Sequence, residues 1–179
     1  MLRVVLILSL IIASSGCKSS KRDEAKWKEA GAQALLPFRK SLKQALVAGL
    51  EDGPIEAISA CRVEAPKLAE AASANGIRIG RTSAKLRNRS NAPKLWMQPF
   101  LQVYETDPEG REPGVVLIDE KTVGYVEPIF VEPLCVTCHG AELGPDLQAK
   151  LKELYPADQA TGYVPGDFRG VFWAELPRQ

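Results

Sequence analysis

The chain has very few of the side chains that most often bind metals or move protons. Its 179 residues include a single histidine, His139, and only two methionines, Met1 and Met97. A site built from several histidines is therefore excluded. No acid–base pair can be recognised near His139 either, so we expect that the protein is not an enzyme.

The sequence also lacks the features of a nucleic-acid-binding protein. Lysine and arginine number 23 against 22 aspartates and glutamates, which leaves a formal net charge of +1. The basic residues are scattered along the chain and are not interleaved with aromatic residues. Nucleic acid is therefore not expected as a partner.

The N-terminus carries a short apolar run and no transmembrane-length segment. Arg3 precedes hydrophobic residues 4–12, and the small residues 13–16 then lead to Cys17. Such a run is too short for a transmembrane helix and has the proportions of a secretory signal. Small residues before a cysteine resemble the cleavage site of bacterial lipoproteins, in which that cysteine becomes the lipid-carrying first residue.

This pattern predicts a lipoprotein signal peptide at residues 1–16 and a polar tether at residues 17–24. Lipoprotein sites usually carry leucine three residues before the cysteine, and this chain has Ser14 there. An ordinary secretory signal or an uncleaved anchor is therefore the alternative. We expect the protein on the periplasmic side of a bacterial membrane, held there by a lipid on Cys17.

The order of the periodic segments predicts one α+β domain at residues 25–179. Two long helices come first, followed by a short helix, a β-hairpin, another short helix and a final strand. Their predicted bounds are, in that order, 24–50, 55–75, 93–105, 115–131, 144–156 and 168–176. Residues 77–94 lack clear periodicity and are predicted as a structured loop with short pieces of helix or strand.

The most specific motif is Cys-Val-Thr-Cys-His at residues 135–139, because Cys-x-x-Cys-His is the attachment signature of c-type haem. Cys135 and Cys138 can form thioethers with both haem vinyl groups, which places His139 beneath the iron as the proximal ligand. One covalent haem c is therefore the predicted cofactor. Export supports this interpretation, since bacterial haem attachment takes place outside the cytoplasm.

Three other uses of these cysteines are compatible with the sequence. A redox-active pair would not require the histidine that follows it. A disulfide between Cys135 and Cys138 would be strained. A structural zinc site needs four ligands, and Cys61 could complete a Cys3His set with the motif.

The side of the iron opposite His139 has no histidine available. If Met1 is removed with the signal, the side chains with a suitable ligand atom are Cys61 and Met97. Met97 lies beside Trp96 on the third predicted helix, where filling the core is its expected role. Cys61 is the cysteine left without a role. An unpaired cysteine in an exported protein often has a specific function.

Cys61 lies on the apolar stripe of the second helix, in register with Ile58 and Ala65, and should face the core. Pro66 cannot donate to the carbonyl of Arg62, so the helix should bend just past Cys61 and leave room for a porphyrin. From the residues alone, Cys61 is either a small buried hydrophobic residue or the second iron ligand.

Four segments together resemble a known family, the single-haem c-type cytochrome domain of PAS-like fold found in cyanobacteria and in the sensor regions of bacterial histidine kinases. The segments lie at 58–69, 81–93, 135–140 and 155–170, and they follow the family order over about residues 25–176. The resemblance implies long N-terminal helices followed by an antiparallel sheet that encloses one haem. It also implies His139 as proximal ligand and a thiolate at Cys61 as the opposite ligand.

The same resemblance places the loop after residue 81 near the haem edge. Arg81, Arg87 and Asn88 could pair there with the propionates, a task that suits arginine. The chain departs from the family after Asn-Ala-Pro, where Lys94 and Met97 stand in a region that commonly carries an acidic residue. This departure keeps Met97 as a competing ligand.

These expectations lead to the hypothesis of a redox or ligand-sensing haem module. An anionic thiolate stabilises ferric iron, so His/Cys ligation predicts a low reduction potential. Dissociation of Cys61 on reduction would open a ligand site and shift its helix. Because no kinase or other output domain is recognisable, a signal would need an unknown redox or signalling partner at the membrane. The alternative is a plain electron-transfer cytochrome lipoprotein.

Overall fold

In the computed structural model of this chain, the described residues are 16–107 and 109–178, with side chains described from Lys21 onward. The signal peptide predicted at 1–16 lies almost wholly outside the described residues, and so does the side chain of the predicted lipid site, Cys17. No helix in this described part is both long and apolar enough to cross a membrane.

Most of the chain between residues 16 and 72 is helical. Helix α1 spans Gly16–Asp52 and continues through Pro37. Residues 17–24, expected as a polar tether, form its first turns, since the lysines, arginine and glutamate there have high helix propensity and extend the amphipathic segment that follows.

The predicted second helix is divided into three parts. Helix α2 covers Ala57–Ser59, a π-helical segment covers Ala60–Glu64, and helix α3 covers Ala65–Ala72. The irregularity expected near Cys61 is thus a local change of hydrogen-bonding register. It ends where Pro66 enters α3, because proline has no N–H with which to continue the preceding pattern.

The sheet has four antiparallel strands in the order β1-β4-β3-β2. The bounds of β1 to β4 are Arg78–Thr82, Gly114–Asp119, Thr122–Phe130 and Phe168–Pro177. Strands β2 and β3 form the predicted hairpin, and β4 is the predicted last strand. Strand β1 lies in the segment predicted as a structured loop with short pieces of helix or strand. Its bounds were not predicted, because this five-residue strand is too short to show a period and depends on pairing with β4, as Ile79 does opposite Ala174.

Three short helices complete the chain. Helices α4, α5 and α6 span Gln98–Thr106, Val136–His139 and Pro145–Leu154. Single 3₁₀ turns at Arg89–Asn91, Leu95–Met97 and Pro133–Cys135 precede or connect these elements. The predicted α+β class, with long helical structure before an antiparallel sheet, is therefore confirmed.

The main core lies between α1 and one face of the sheet. Leu35 and Phe38 on α1 pack with Tyr125 on β3 and Ala174 on β4. Gly31 permits this close approach, because a Cβ at that position would overlap the ring of Tyr125. The C-terminal half of α1 extends past this core and forms one wall of a cavity.

Candidate haem site

A cavity of about 550 Å³ lies where α1, the broken helix (α2, the π-helical segment and α3), the end of β1 and the Cys-x-x-Cys-His segment meet. This volume is within the range of roughly 300–1,000 Å³ that is usual for small-molecule and cofactor sites. Much of its lining is apolar, with Leu46, Ile58, Leu86, Leu134 and Phe172 among the residues that form it. The site therefore combines room for a large planar group with the predicted haem-binding motif.

The fold brings four of the predicted site residues to this cavity. Cys61, from the π-helical segment, lines it together with Cys135, Cys138 and His139. All three cysteines are free and partly exposed, so the disulfide considered from the sequence is not formed. Within the described residues, no three His, Cys, Asp or Glu side chains are grouped as they would be around a bare metal ion, and the Cys3His zinc arrangement is thus not assembled.

The two candidates for the second axial position lie in different places. Cys61 is partly exposed and lines the cavity, whereas Met97 is only 1% exposed and is not among the lining residues. The 3₁₀ turn before α4 directs Met97 into the core, the role that its sequence context favours.

A hydrogen bond defines the orientation of His139. Its Nδ1 lies 2.6 Å from the carbonyl oxygen of Ala160. Because a carbonyl can only accept, Nδ1 carries the proton in this contact, and Nε2 keeps the lone pair that a metal would need. Burial, assisted by the positive charges of Arg87 and Arg169, lowers the pKa of His139 to about 3, which keeps the ring neutral at ordinary pH.

Residues 155–170 form the support beneath His139. The amide of Tyr163 donates to the carbonyl of His139, and the amide of Gly162 donates to that of Gly140, both at 3.0 Å. The ring of Tyr163 also meets the imidazole edge to face, with ring centroids 6.3 Å apart. Sequence reasoning identified this segment as family-like but assigned no role to Ala160 or Tyr163, since their contacts with His139 arise only from tertiary packing.

Arg87 ties the haem motif to this supporting segment. Its Nε donates to Asp158 Oδ2 at 2.9 Å, and its Nη2 donates to the carbonyls of Cys138 at 2.6 Å and Ala160 at 3.2 Å. The side chains of Arg87 and Asp158 are only 10% and 11% exposed. Arg87 lines the cavity, but most of its N–H donors already bind acceptors of the protein itself.

Arg81 and Asn88, the other predicted propionate contacts, also line the cavity and also bind backbone groups. Arg81 Nη2 donates to the carbonyl of Cys61 at 3.2 Å. Asn88 Oδ1 accepts from the amide of Ser90 at 3.0 Å and caps a 3₁₀ turn.

The cavity wall is strongly basic. Its charged residues are seven cations, Arg39, Lys40, Lys43, Arg81, Lys85, Arg87 and Arg169, and one carboxylate, Glu132. In the described part of the chain, Arg39, Lys43 and Arg87 form ion pairs, and the other four cations have no carboxylate partner. The arrangement suits a ligand that carries carboxylates of its own.

Arg169 is a site residue that the sequence did not single out. It is partly buried, donates to the carbonyl of Lys85 at 3.3 Å and lies 5.3 Å from the ring of Tyr163. Burial lowers the pKa of Arg169 from its ordinary value, which marks a desolvated cation. Its position in the family-like segment Gly-Asp-Phe-Arg-Gly was the available signal.

Comparisons with known proteins agree with this geometry. The crystal structure of the cyanobacterial heme protein Tll0287 matches with a TM-score of 0.63 and 24% sequence identity, over 81% of this chain and 93% of that one. This likeness shows the fold. No curated protein matches the chain. The family model described as Tll0287-like covers residues 18–177. The resemblance stated from four sequence segments is thereby confirmed, and the chain belongs to the Tll0287-like family.

Proposed function

We propose that the protein is a c-type haem module in which Cys135 and Cys138 carry one haem and His139 and Cys61 bind its iron from opposite sides. The observation that carries this proposal is the single cavity lined by all four residues. The family and the solved relative, whose title names a heme protein, support the choice of cofactor.

The residues present fit a haem in three respects. The hydrogen bond from His139 Nδ1 to Ala160 leaves Nε2 available as a ligand atom. Apolar side chains such as Ile58 and Leu134 suit the faces of a porphyrin. Lys85 and Arg169, which have no carboxylate partner in the described chain, suit its propionates.

When bound, the haem iron would supply one-electron redox chemistry and, with one axial position free, a site for a small ligand. Cys61 decides between these two uses. As an anionic thiolate it favours the ferric state, so its ligation predicts a low reduction potential. A neutral Cys61 thiol would bind ferrous iron more weakly than a thiolate binds ferric iron.

We favour a redox- or ligand-sensing role over plain electron transfer because Cys61 lies in a π-helical segment. Such segments occur mostly as local insertions in α-helices and are frequent at functional sites. A change of hydrogen-bonding register in this segment would supply the two-state element that a sensor needs. We propose no enzymatic reaction for the site.

The test compares Cys61→Ala with Met97→Ala in the haem-loaded protein, by ferric absorption and electron paramagnetic resonance spectra. We expect Cys61→Ala to abolish the low-spin thiolate signature and Met97→Ala to retain it. A wild-type spectrum in Cys61→Ala would contradict the thiolate assignment.

Carbon monoxide titration of the reduced protein separates sensing from electron transfer. Binding of carbon monoxide with loss of the cysteine ligand supports a ligand or redox sensor. A ferrous form that stays six-coordinate and does not bind carbon monoxide supports the electron-transfer cytochrome instead.

We also propose that the chain is exported, cleaved before Cys17 and anchored by a lipid on the periplasmic side of a bacterial membrane. The N-terminal residue pattern and the c-type motif support this location. A redox or signalling protein at that membrane would be the partner. Mass spectrometry of the mature N-terminus and membrane fractionation of Cys17→Ser test the anchor, and an unmodified, soluble wild-type protein would contradict it.

A further inference from the structure

The carbonyl of Cys61 has no backbone donor in its own helix. In an α-helix the donor would be the amide of Ala65, but that amide donates to Ala60 instead. In a π-helix the donor would be residue 66, which is Pro66 and has no N–H. The carbonyl of Cys61, the proposed iron ligand, therefore lacks a backbone donor because of the π-helical register and Pro66.

Arg81 supplies the missing donor. Its Nη2 lies 3.2 Å from the carbonyl oxygen of Cys61, and both residues line the cavity. Strand β1 holds Arg81 in place through its pairing with β4, where Arg81 lies opposite Phe172. A partly buried carbonyl without a donor lowers stability. The hydrogen bond from Arg81 removes this cost and so favours the π-helical register, in which the carbonyl of Cys61 has no backbone donor.

We propose that Arg81 is a positioning residue that holds the π-helical segment in the register in which the Cys61 thiol reaches the iron. This role rests on the thiolate ligation proposed above, and it differs from the propionate pairing expected from the sequence. If the amide of Ala65 returned to the carbonyl of Cys61, the segment would turn by about 100°, the angle of one helical residue. That turn would carry the thiol away from its place in the cavity.

Arg87, in the loop that follows β1, makes similar contacts with the backbone around His139. Arg87 donates to the carbonyls of Cys138 and Ala160, and Ala160 accepts from His139. Two arginines close together in sequence thus hold the backbone of both proposed ligand segments. Arg81 acts on Cys61 as Arg87 acts on the segment of His139.

A double-mutant cycle between Arg81→Ala and Pro66→Ala tests the proposal in the haem-loaded protein. Pro66 is exposed, so its replacement should disturb little packing, and alanine restores an N–H that can donate to the carbonyl of Cys61. We expect Arg81→Ala alone to reduce the ferric fraction with a thiolate signature by about fivefold or more, within the range of coupling between contacting residues. In the Pro66→Ala background the same substitution should change that fraction by less than about twofold.

Arg62→Ala is the matched control. Arg62 is exposed, lies next to Cys61 on the same segment and makes no hydrogen bond to its carbonyl in the described structure. Its removal deletes a nearby positive charge and should leave the thiolate signature unchanged.

Several outcomes would overturn the proposal. An unchanged signature in Arg81→Ala would show that Arg81 does not position Cys61. Equal losses in both backgrounds would show that the charge of Arg81 acts instead of its hydrogen bond. If Arg81→Ala fails to accumulate, recovery of haem-loaded protein in the double variant supports the proposal and continued failure contradicts it.

Failure of the proposed ligation can be recognised separately. A wild-type spectrum in Cys61→Ala would reject the thiolate ligand whatever the cycle shows. Hydrogen exchange of the amides at 60–65 then still reports the capping by Arg81, because it needs no iron ligand. Faster exchange in Arg81→Ala that Pro66→Ala reverses supports the capping, and unchanged exchange contradicts it.

Discussion

His139 and Arg87 donate to the same acceptor, the carbonyl oxygen of Ala160. The oxygen lies 2.6 Å from His139 Nδ1 and 3.2 Å from Arg87 Nη2. The second donor, Arg87, weakens the hydrogen bond from His139 Nδ1 to this oxygen. The strength of that bond controls how basic a ligating imidazole is. Through the shared acceptor, Arg87 would influence an iron bound by His139 without contacting it.

Removal of Arg87 should lower the reduction potential. The paired variant Arg87→Met/Asp158→Asn deletes the ion pair without leaving an uncompensated buried carboxylate, and it frees Ala160 to bind His139 more strongly. A more basic imidazole stabilises ferric iron, so we expect a fall of ~30–60 mV, up to about tenfold in the one-electron equilibrium constant. Spectroelectrochemical titration measures the shift.

A second ion pair at the cavity provides the control for this prediction. Arg39 pairs with Glu127 and lines the cavity. Arg39→Met/Glu127→Gln should shift the potential by much less, since neither residue is bonded to Ala160 in the described structure. Equal shifts in the two paired variants would contradict a role for the shared carbonyl.

Loss of Arg169 should move the pH dependence of the reduction potential to higher pH. A desolvated guanidinium close to a propionate holds the pKa of that carboxyl low, and its removal raises that pKa. The potential of Arg169→Met should therefore begin to change with pH nearer neutrality than that of the wild type. Arg89→Met, at an exposed position outside the cavity lining, should follow the wild-type curve. Superimposable curves for all three proteins would exclude a propionate contact by Arg169.

Glu175 should stabilise the folded protein at neutral pH and lose this effect in acid. The carboxylate is 5% exposed and accepts hydrogen bonds from Arg78, Lys94 and Trp96. Burial raises its pKa, but the hydrogen bonds and positive charges outweigh burial and leave the pKa below its ordinary value. A lowered pKa in the folded state means that the contribution is complete above the unfolded-state pKa and is lost as the pH falls through the folded-state value.

We therefore expect Glu175→Gln to reduce the free energy of unfolding by ~1.5–3 kcal/mol at pH 7, the usual contribution of hydrogen bonds to a charged group. The difference from the wild type should shrink as the pH falls below the ordinary glutamate pKa of about 4.3 and then through the lower pKa of the folded state. Denaturant titrations at several pH values measure this difference. A difference that does not depend on pH would point to packing instead of charge.

Substitution of Gly31 should disturb the packing of α1 on the sheet. In Gly31→Ala the new methyl group would overlap the ring of Tyr125, a residue only 1% exposed. Overpacking of this kind costs ~1–3 kcal/mol. Gly144→Ala is the control, because a methyl group there meets nothing within 4 Å. Similar thermal midpoints for the two variants would show that the helix shifts without cost.

The helices and the hairpin could be predicted from sequence because their signals are local. The apolar spacing in α1 and the alternation in β2 and β3 depend on near neighbours in the chain. Strand β1 and the π-helical segment could not be derived in this way. Strand β1 forms because it pairs with β4. The π-helical segment forms because the amide of Ala65 donates to Ala60 and Pro66 has no N–H to donate.

The site residues divide in a similar manner. Local spacing singled out Cys135, Cys138 and His139, and the count of histidines directed attention to Cys61 and Met97. The parts played by the arginines were not predictable, since Arg81 and Arg87 reach backbone carbonyls that are distant in sequence. Arg169 was missed for the same reason.

The sequence by itself determined which chemistry to expect at the motif, because its two cysteines and its histidine are near neighbours and their spacing matches the attachment signature of c-type haem. For the other side the residues alone left Cys61 and Met97 open, and the family resemblance favoured Cys61. Only the tertiary structure decided which of them lines the cavity, since this depends on how the broken helix and the turn before α4 pack against α1 and the sheet. That packing is a long-range property: the local patterns predicted an inward-facing side chain for both residues, but not which of them would line the cavity.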